Sequence, residues 1–233
     1  MDRKQEVSVI LPVYNGGAFL RECIESVLNQ SVEPKELIII DDGSTDDSSD
    51  IIREFPQVSH IIQKNVGVAE TRNIGLKKAS GNLIAFIDQD DFWALDKLEQ
   101  QLQYLNQNSE AQVVIGHQKC FLDGLNELPS WVKPELFDKP VGGYLLGCAL
   151  LKGNVFSEIG TFDSSLRFGS DTDWFFKLTD AGIETHTVDA IVLHKRIHDS
   201  NESRFAEESL KELTRIIHRS IIRKKQQQLK TTD

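Results

Sequence analysis

The chain has 233 residues, of which 39% are apolar and 27% are charged, a composition typical of a globular protein. This length suits one large domain with a sizeable hydrophobic core. The net charge of −10 and the pI of about 5.1 exclude a nonspecific nucleic-acid binder, which needs a basic face to meet phosphates. A nucleotide ligand stays compatible, because one local site can bind an anion through a metal ion or backbone N–H groups.

The cysteines and the N-terminal segment indicate the compartment. Cys23, Cys120 and Cys148 are odd in number and lack CxxC spacing, so they predict neither a disulfide framework nor a zinc site. We expect them to pack as small core residues in a reducing compartment. The apolar run from Val7 is short and contains Pro12, unlike a signal peptide or a membrane span. A cytoplasmic protein is therefore expected.

The first half of the chain alternates short apolar runs with segments of helical periodicity. Strands are predicted over 7–11, 37–40, 58–62, 83–87 and 113–116, and helices over 19–28, 47–55, 68–78 and 95–105. Each strand reads as a continuous apolar run, which is typical of strands buried on both faces. The pattern predicts an α/β protein with a Rossmann-like, mostly parallel sheet and helices on both faces.

The alternation ends after Gly116. Residues 117–143 contain three prolines and scattered glycines and are predicted to form long loops. Beyond them we predict a helix over 171–180, a strand over 185–193 and a long amphipathic helix with a basic end from about residue 202. The second half is thus expected to be less regular than the first.

Two acidic clusters follow predicted strands, at the sheet edge where such folds bind ligands. Residues 88–91, with sequence DQDD, place three carboxylates together, and these hard oxygen ligands suit Mg²⁺ or Mn²⁺ bridging two phosphates. The alternative is a solvated acidic turn in which Asp91 caps the next helix. Asp41 and Asp42 are compatible with contacts to a base or ribose, or with a turn and helix cap alone.

The second half offers further candidates, each with two interpretations. Asp171 and Asp173 precede three aromatic residues. They either serve as helix N-terminal charges or include a general base whose pKa desolvation raises. The basic patch comprises His194, Lys195, Arg196 and His198. It could neutralise a leaving diphosphate or be a solvated surface.

The last helix carries basic residues among isoleucines. These are Arg215, Arg219, Arg223, Lys224 and Lys225. Such a helix could contact an anionic membrane surface, which would make the protein peripheral to the inner face of a membrane. The alternative is an ordinary amphipathic surface helix.

The order and spacing of these segments resemble family 2 glycosyltransferases of the GT-A fold. The resemblance is carried by VSVILPVYN (7–15), IIIDDGSTDDS (38–48), NVGVAETRNIGLKKASG (65–81), LIAFIDQDD (83–91) and GTFDSSLRFGSDTDW (160–174). Each segment is weak by itself, but five in the same order at the same spacing are specific. The resemblance covers roughly residues 7–200.

The resemblance implies a metal-dependent transfer of a sugar, with inversion, from a nucleotide-diphosphate sugar to an acceptor hydroxyl. The donor is expected to be a UDP-sugar, and the acceptor a saccharide or lipid-linked saccharide in cell-surface polysaccharide biosynthesis. Residues 1–200 would form a single catalytic domain. Its nucleotide-sugar part would be about 1–116 and its acceptor part about 117–200, followed by a C-terminal helix and tail over 201–233.

The resemblance also assigns roles to single residues. Asp171 would be the catalytic base that deprotonates the acceptor hydroxyl. Asp88 and Asp90 match the Asp-x-Asp element, and Mn²⁺ or Mg²⁺ is expected on Asp90 and Asp91. The residues expected to bind the donor nucleotide are Pro12, Val13, Tyr14, Asp41, Asp42, Arg72, Asp88 and His198.

One departure and two other functions bear on this interpretation. Ser170 stands where the family often has Glu, which concerns acceptor orientation more than activity. A nucleotidyltransferase would use a similar sheet, metal and acids, but it usually needs a glycine-rich basic loop, and the turn at residues 15–17 has no nearby Lys. A non-catalytic nucleotide-sugar binding module is the third hypothesis.

Overall fold

The computed structural model describes residues 5–201 and 206–230. The strands in these ranges are β1 Val7–Val13, β2 Glu36–Asp41, β3 Ser59–Ile62, β4 Leu83–Phe86, β5 Phe92–Trp93, β6 Val113–Leu122, β7 Val141–Gly142, β8 Ala149–Lys152 and β9 Thr185–Ile197. The helices are α1 Gly17–Leu28, α2 Ser48–Arg53, α3 Val68–Lys78, α4 Lys97–Gln107, α5 Glu135–Asp138, α6 Asn154–Ile159, α7 Ser170–Asp180 and α8 Ala206–Lys230. A 3-10 turn covers Leu146–Cys148.

All the described strands belong to one sheet, in the order β3-β2-β1-β4-β8-β6-β9-β5 with β7 beside β6. The four strands from β3 to β4 are parallel to one another, as their continuous apolar runs predicted. Beyond them, β8 is antiparallel to β4 and β6, whereas β6 and β9 run parallel. The predicted α/β fold class is confirmed, and the antiparallel strands lie at the other end of the sheet.

Helices cover both faces of the sheet because alternate side chains of each buried strand point to opposite sides. Val9 and Leu11 of β1 pack in one cluster with α1, α2 and α4. Ile10, between them, packs on the opposite face with residues of α3 and α7. Gly75 lets α3 approach closely, since a Cβ at this position would lie 2.4 Å from Ile10 Cγ2.

The second half is more regular than predicted. β6 continues past Gly116 to Leu122, and α5 and β7 lie within the segment predicted as loops. β9 likewise continues past Leu193 to Ile197. The two strands pair in parallel from Val113 and Thr185 to Leu122 and Ile197, with an irregularity near His117. The prediction of loops was therefore wrong for residues 117–122, because strand pairing extends them beyond the local apolar pattern.

α8 packs along α7 through a buried polar contact. Asp180 accepts hydrogen bonds from Ser220 Oγ and Arg223 Nε, both at 2.6 Å. Ile216 is buried, and its Cδ1 would lie 3.3 Å from a Cβ at Gly169, the residue before α7. The predicted start of this helix near residue 202 lies outside the described residues. Within the described ranges, no helix combines the length and apolarity needed to cross a membrane.

Candidate functional site

The two acidic clusters lie at the carboxyl ends of β2 and β4, on either side of the end of β1. The strand order reverses at β1, and ligands of α/β sheets bind at such switch points. The loop after β1 contacts both clusters. Asn15 N–H donates to Ser44 Oγ (3.0 Å), and Tyr14 exchanges two hydrogen bonds with Gln89, at 2.8 and 3.0 Å. We call the three loops together the nucleotide rim: residues 14–17, 41–47 and 87–91.

Asp41 stabilises the turn after β2. Its side chain is fully buried and accepts hydrogen bonds from Ser44 N–H, at 2.8 Å, and from Ser49 Oγ. Burial by itself would raise the pKa of Asp41, but the hydrogen bonds from Ser49 and Ser44 outweigh burial and lower it. Both oxygens are thus engaged within the protein, and a contact between Asp41 and a nucleotide stays a prediction.

Asp42 lies beside it and holds the loop before α3. Its Oδ1 accepts hydrogen bonds from Gln63 Nε2 (2.7 Å) and Val66 N–H (2.9 Å), and its Oδ2 accepts one from Gly67 N–H (2.8 Å). Gly67 has φ +89°, a conformation that favours glycine. Oδ2 accepts one hydrogen bond where Oδ1 accepts two, so Oδ2 has the greater remaining acceptor capacity of the two oxygens.

Arg72 links residues 88–91, which we call the acid turn, to the start of α7. Its Nη2 donates to Asp88 Oδ1 at 2.8 Å, and its Nη1 lies 3.5 Å from Ser170 Oγ. Arg72 is 5% exposed, and its Nε has no hydrogen-bond partner in the described part of the chain. Asp171 follows Ser170 in the first turn of α7, and its Oδ1 accepts a hydrogen bond from Thr172 N–H at 2.8 Å. Arg72 therefore connects Asp88 with the start of α7, and the role of Asp171 as a base stays a prediction.

Asp90 contacts the end of β9. Its Oδ2 lies 3.1 Å from His198 Nε2 and accepts a hydrogen bond from Asn201 Nδ2 at 3.0 Å. Burial would raise the pKa of Asp90, but the hydrogen bond from His198 and the charge of Lys195 outweigh burial and lower it. Asp90 and His198, 108 residues apart in the sequence, therefore form one polar group.

Asp91 points into the protein. It is 2% exposed, its Oδ1 accepts a hydrogen bond from Arg196 N–H (2.9 Å), and its Oδ2 lies 3.3 Å from Lys195 Nζ. Burial raises the pKa of Asp91 above its ordinary value, and the positive charge of Lys195 opposes this shift. Asp91 thus fastens the acid turn to β9.

The basic patch at residues 194–198 is not a solvated surface. Arg196 and His198 are 5% and 8% exposed, and Lys195 forms an ion pair with Asp91. His194 stacks on Phe92, with ring centroids 4.6 Å apart. The interpretation as a solvated patch was therefore wrong for Arg196 and His198, because β9 carries them to the buried side of the acid turn.

Arg196 has the most partners in this group. Its Nε donates to the Asp90 carbonyl oxygen at 2.9 Å, and its two Nη atoms pair with Asp123 and Glu22. The guanidinium carbon lies 4.6 Å from the ring centroid of Phe19, within the range of a cation–π contact. Arg196 therefore holds the acid turn, α1 and the end of β6 together.

The sequence analysis missed several residues of this site. Gln63, Gln89 and Asn201 were not singled out, because neutral amides leave no charge pattern in a sequence. The structural role of Arg196 was missed as well. No alternation of basic and apolar residues could have indicated it, because residues 194–196 are three basic residues in a row.

The structure brings together only some of the residues that could bind a metal ion. Among the described residues, no group of three or more His, Cys, Asp or Glu side chains is arranged to hold a metal ion. Asp90 and His198 come together as a pair, whereas Asp91 faces Lys195. The side chain of Asp88 is 43% exposed, so a ligand can reach it.

Solved structures establish the class of fold. S. aureus TarS in complex with UDP-GlcNAc matches with a TM-score of 0.73 and 18% identity, over 94% of this chain and 66% of that one. The mannosyltransferase PcManGT from Pyrobaculum calidifontis, in complex with GDP-Man and Mn²⁺, matches with a TM-score of 0.70 and 18% identity, over 94% and 65%. The fold is that of GT-A glycosyltransferases.

Sequence comparison gives the family. The family model described as glycosyl transferase family 2 matches residues 8–167, and the chain belongs to this family. An uncharacterized glycosyltransferase of Haemophilus influenzae is 41% identical over 155 residues, 64% of this chain and 58% of the relative. The putative teichuronic acid biosynthesis glycosyltransferase TuaG of Bacillus subtilis is 35% identical over 152 residues, 62% and 60%. The chain thus spans about three fifths of these two relatives.

Proposed function

We propose that this chain transfers a sugar from a UDP-sugar to an acceptor hydroxyl, with inversion at the anomeric carbon. The observation that carries the proposal is the contact of Arg72 with both Asp88 and Ser170, which brings the start of α7 to the nucleotide rim. Membership of glycosyl transferase family 2 supports the reaction class. The proposed acceptor is a saccharide, free or linked to a lipid, and the Bacillus subtilis relative is named as a putative teichuronic acid biosynthesis glycosyltransferase.

The proposed donor site lies on the nucleotide rim. Asp42 Oδ2, which accepts one hydrogen bond within the protein, takes an N–H group of the base, and the Tyr14 side chain, 48% exposed, offers an aromatic face beside it. Pro12 and Val13 line the floor at the end of β1. Arg72 Nε, buried and without a partner in the described ranges, donates to the nucleotide, because a buried donor is costly to leave unpaired.

Mg²⁺ or Mn²⁺ is the proposed cofactor, because the carboxylates of residues 88–91 are the hard oxygen ligands that such ions take. Asp90 would hold the ion, and its present partners are His198 and Asn201. Asp91 is the second proposed ligand and reaches the ion only by releasing Lys195. When bound, the ion neutralises charge on the leaving diphosphate.

Asp171 is the proposed base. It takes the proton from the acceptor hydroxyl, whose oxygen forms the new bond to the anomeric carbon while the bond to the diphosphate breaks on the opposite face. Ser170 offers Arg72 a neutral hydroxyl where the family often has Glu. The positive charge of Arg72 therefore stays available to Asp88 and the donor.

The variant Asp171→Asn tests this proposal. It removes the base but keeps the size of the side chain, so we expect kcat to fall by about 10²–10⁴ while the Kd for the donor stays within about twofold. Transfer is measured as UDP release with a panel of UDP-sugars and saccharide acceptors, and donor binding by calorimetry.

Asp50→Asn, which removes an exposed acid of α2, is the matched control and should transfer normally. Near-normal transfer by Asp171→Asn would show that another group is the base. Donor binding by the wild type without transfer to any acceptor would indicate a binding module instead.

A further inference from the structure

α8 presents an exposed apolar stripe. Leu210, Ile217 and Ile221 are 63%, 42% and 47% exposed, and their spacing of seven and four residues places them on one face of the helix. Ile216 and Ser220 lie about 100° around the helix from this stripe and are buried against the protein. The exposed stripe has no apolar partner among the described residues.

Basic residues flank this stripe. Residues 209–226 include six lysines and arginines and one glutamate, whereas the whole chain has a net charge of −10. Arg219 and Arg223 pair with acids of the protein body. Arg215 and Lys225 are exposed, and the described residues include no acidic partner for them. The outer face of α8 therefore combines exposed isoleucines with unneutralised positive charge.

We propose that this outer face docks on an anionic lipid bilayer, with α8 lying in the plane of the interface. Burial of the stripe below the headgroups and attraction of the cations to anionic lipids would act together. A second copy of the chain is disfavoured because it would bring these cations against each other. Glu212, the one acid over residues 209–226, accepts backbone N–H groups of Arg167 and Phe168 and so faces the protein body.

This docking would orient the candidate site. Ile216 packs against Gly169, two residues before Asp171, so α8 lies beside the start of the helix that carries the proposed base. A bilayer under α8 would therefore lie close to the start of α7, which carries the proposed base. A lipid-linked acceptor would reach the base from that side. This consequence rests on the proposed function, whereas the docking itself does not.

Co-sedimentation with vesicles tests the proposal. We expect the chain to bind vesicles of phosphatidylcholine mixed with phosphatidylglycerol, and to bind pure phosphatidylcholine vesicles far less. The double variant Ile217→Gln/Ile221→Gln should lower the partition coefficient by about tenfold or more, because apolar area is lost from the interface. Lys225→Gln should lower it about fivefold, and added salt should weaken binding of the wild type.

Two control variants match these changes elsewhere on the surface. Leu95→Gln removes an apolar side chain that is 65% exposed, and Lys78→Gln removes an exposed charge of α3. Both should bind vesicles like the wild type. Circular dichroism and Tm should show that every variant is folded, as expected for changes at exposed positions.

Equal binding by wild type and the Ile217→Gln/Ile221→Gln variant would overturn the proposal, as would equal binding to neutral and anionic vesicles. A wild-type dimer in light scattering that this variant abolishes would overturn it too, by assigning the face to a second copy. Transfer to a soluble acceptor is measured in parallel. Loss of vesicle binding should leave that transfer unchanged, so the two proposals can fail separately.

Discussion

At the nucleotide rim, Asp41, Asp42 and Asp91 all have both carboxylate oxygens engaged by protein groups. The side chain of Asp88 is 43% exposed, and Arg72 Nε is buried without a partner in the described part of the chain. Buried polar groups are rarely left unsatisfied, so the unpaired Nε is consistent with the proposed contact between Arg72 and the donor. Neighbouring acids with the same sequence signature thus have different partners.

The two proposed metal ligands can be separated by their contacts. We predict that Asp90→Asn weakens Mn²⁺ binding more than Asp91→Asn does, because the Asp91 carboxylate is committed to Lys195 and the Arg196 N–H, whereas Asp90 lies beside His198. Calorimetric titration of Mn²⁺ in the presence of UDP measures both affinities. A larger loss for Asp91→Asn would mean that Lys195 gives way and Asp91 is the main ligand.

Charged residues of the site could be predicted from the sequence, because acids that follow apolar strands share one edge of a parallel sheet. That reasoning gave Asp42, Asp88 and Asp90 a common location, and the hydrogen bonds of Tyr14 and Asn15 join their loops. Which protein groups engage each acid could not be predicted. These partners come from distant segments, such as Gln63 for Asp42 and Lys195 for Asp91.

Among the elements, the parallel strands were predictable and the late strands were not. A continuous apolar run identifies a strand buried on both faces, which fits β1, β2 and β4, whereas β3 is an edge strand whose Ser59 and Ile62 are exposed. β6 and β9 end in mixed sequence, and their length comes from pairing with each other, a long-range contact that local patterns do not contain. In α4, Leu98, Leu102 and Leu105 form the predicted buried stripe, whereas Leu95 precedes the helix and is exposed.

α4 also buries a lysine that the sequence analysis did not identify. Lys97 is fully buried, and its Nζ donates to Gln101 Oε1 (2.5 Å) and to the Ala149 carbonyl oxygen (3.2 Å). It lies 4.5 Å from the centroid of the Trp93 ring. Burial lowers the pKa of Lys97 to about 7, because an ammonium group without a carboxylate partner is costly in the interior.

This lysine predicts a pH dependence of stability. Between about pH 7 and 10.5 the unfolded chain holds a proton on Lys97 that the folded chain has released, so the free energy of unfolding rises with pH, by up to about 1.4 kcal/mol per pH unit. Lys97→Met should remove this rise, whereas Lys78→Met, at an exposed position, should keep it. Urea unfolding at several pH values measures the slope. Equal slopes for wild type and Lys97→Met would contradict the assignment.

At the scale of the whole molecule, the two halves of the sheet meet at the candidate site. Its parallel half carries the nucleotide rim, and its mixed half carries β9, whose end returns to the acid turn. α8 adds a further layer on α7, beside the predicted base. The predicted parts 1–116 and 117–200 contact each other at the candidate site, through Arg72 with Ser170 and Asp90 with His198, and the boundary between them stays a prediction.

The packing of α8 on the protein body predicts that two acids contribute differently to the free energy of unfolding. Asp180→Asn should lower the free energy of unfolding by about 1–3 kcal/mol, because it weakens buried hydrogen bonds to Ser220 and Arg223. Asp163→Asn breaks a more exposed pair with Arg219 and should cost less than about 1 kcal/mol. Urea unfolding gives both values, and hydrogen exchange should show faster exchange in α8 for Asp180→Asn. Equal losses would mean that α8 is not fastened at Asp180.

A crystal structure with UDP and Mn²⁺ tests the central claim most directly. The account predicts the uracil at Asp42 and Tyr14, the diphosphate beside Asp90 and His198 with Mn²⁺ between them, and Asp171 facing the cleft above the diphosphate. A nucleotide bound elsewhere on the chain, or a diphosphate remote from both Asp90 and Asp171, would contradict it.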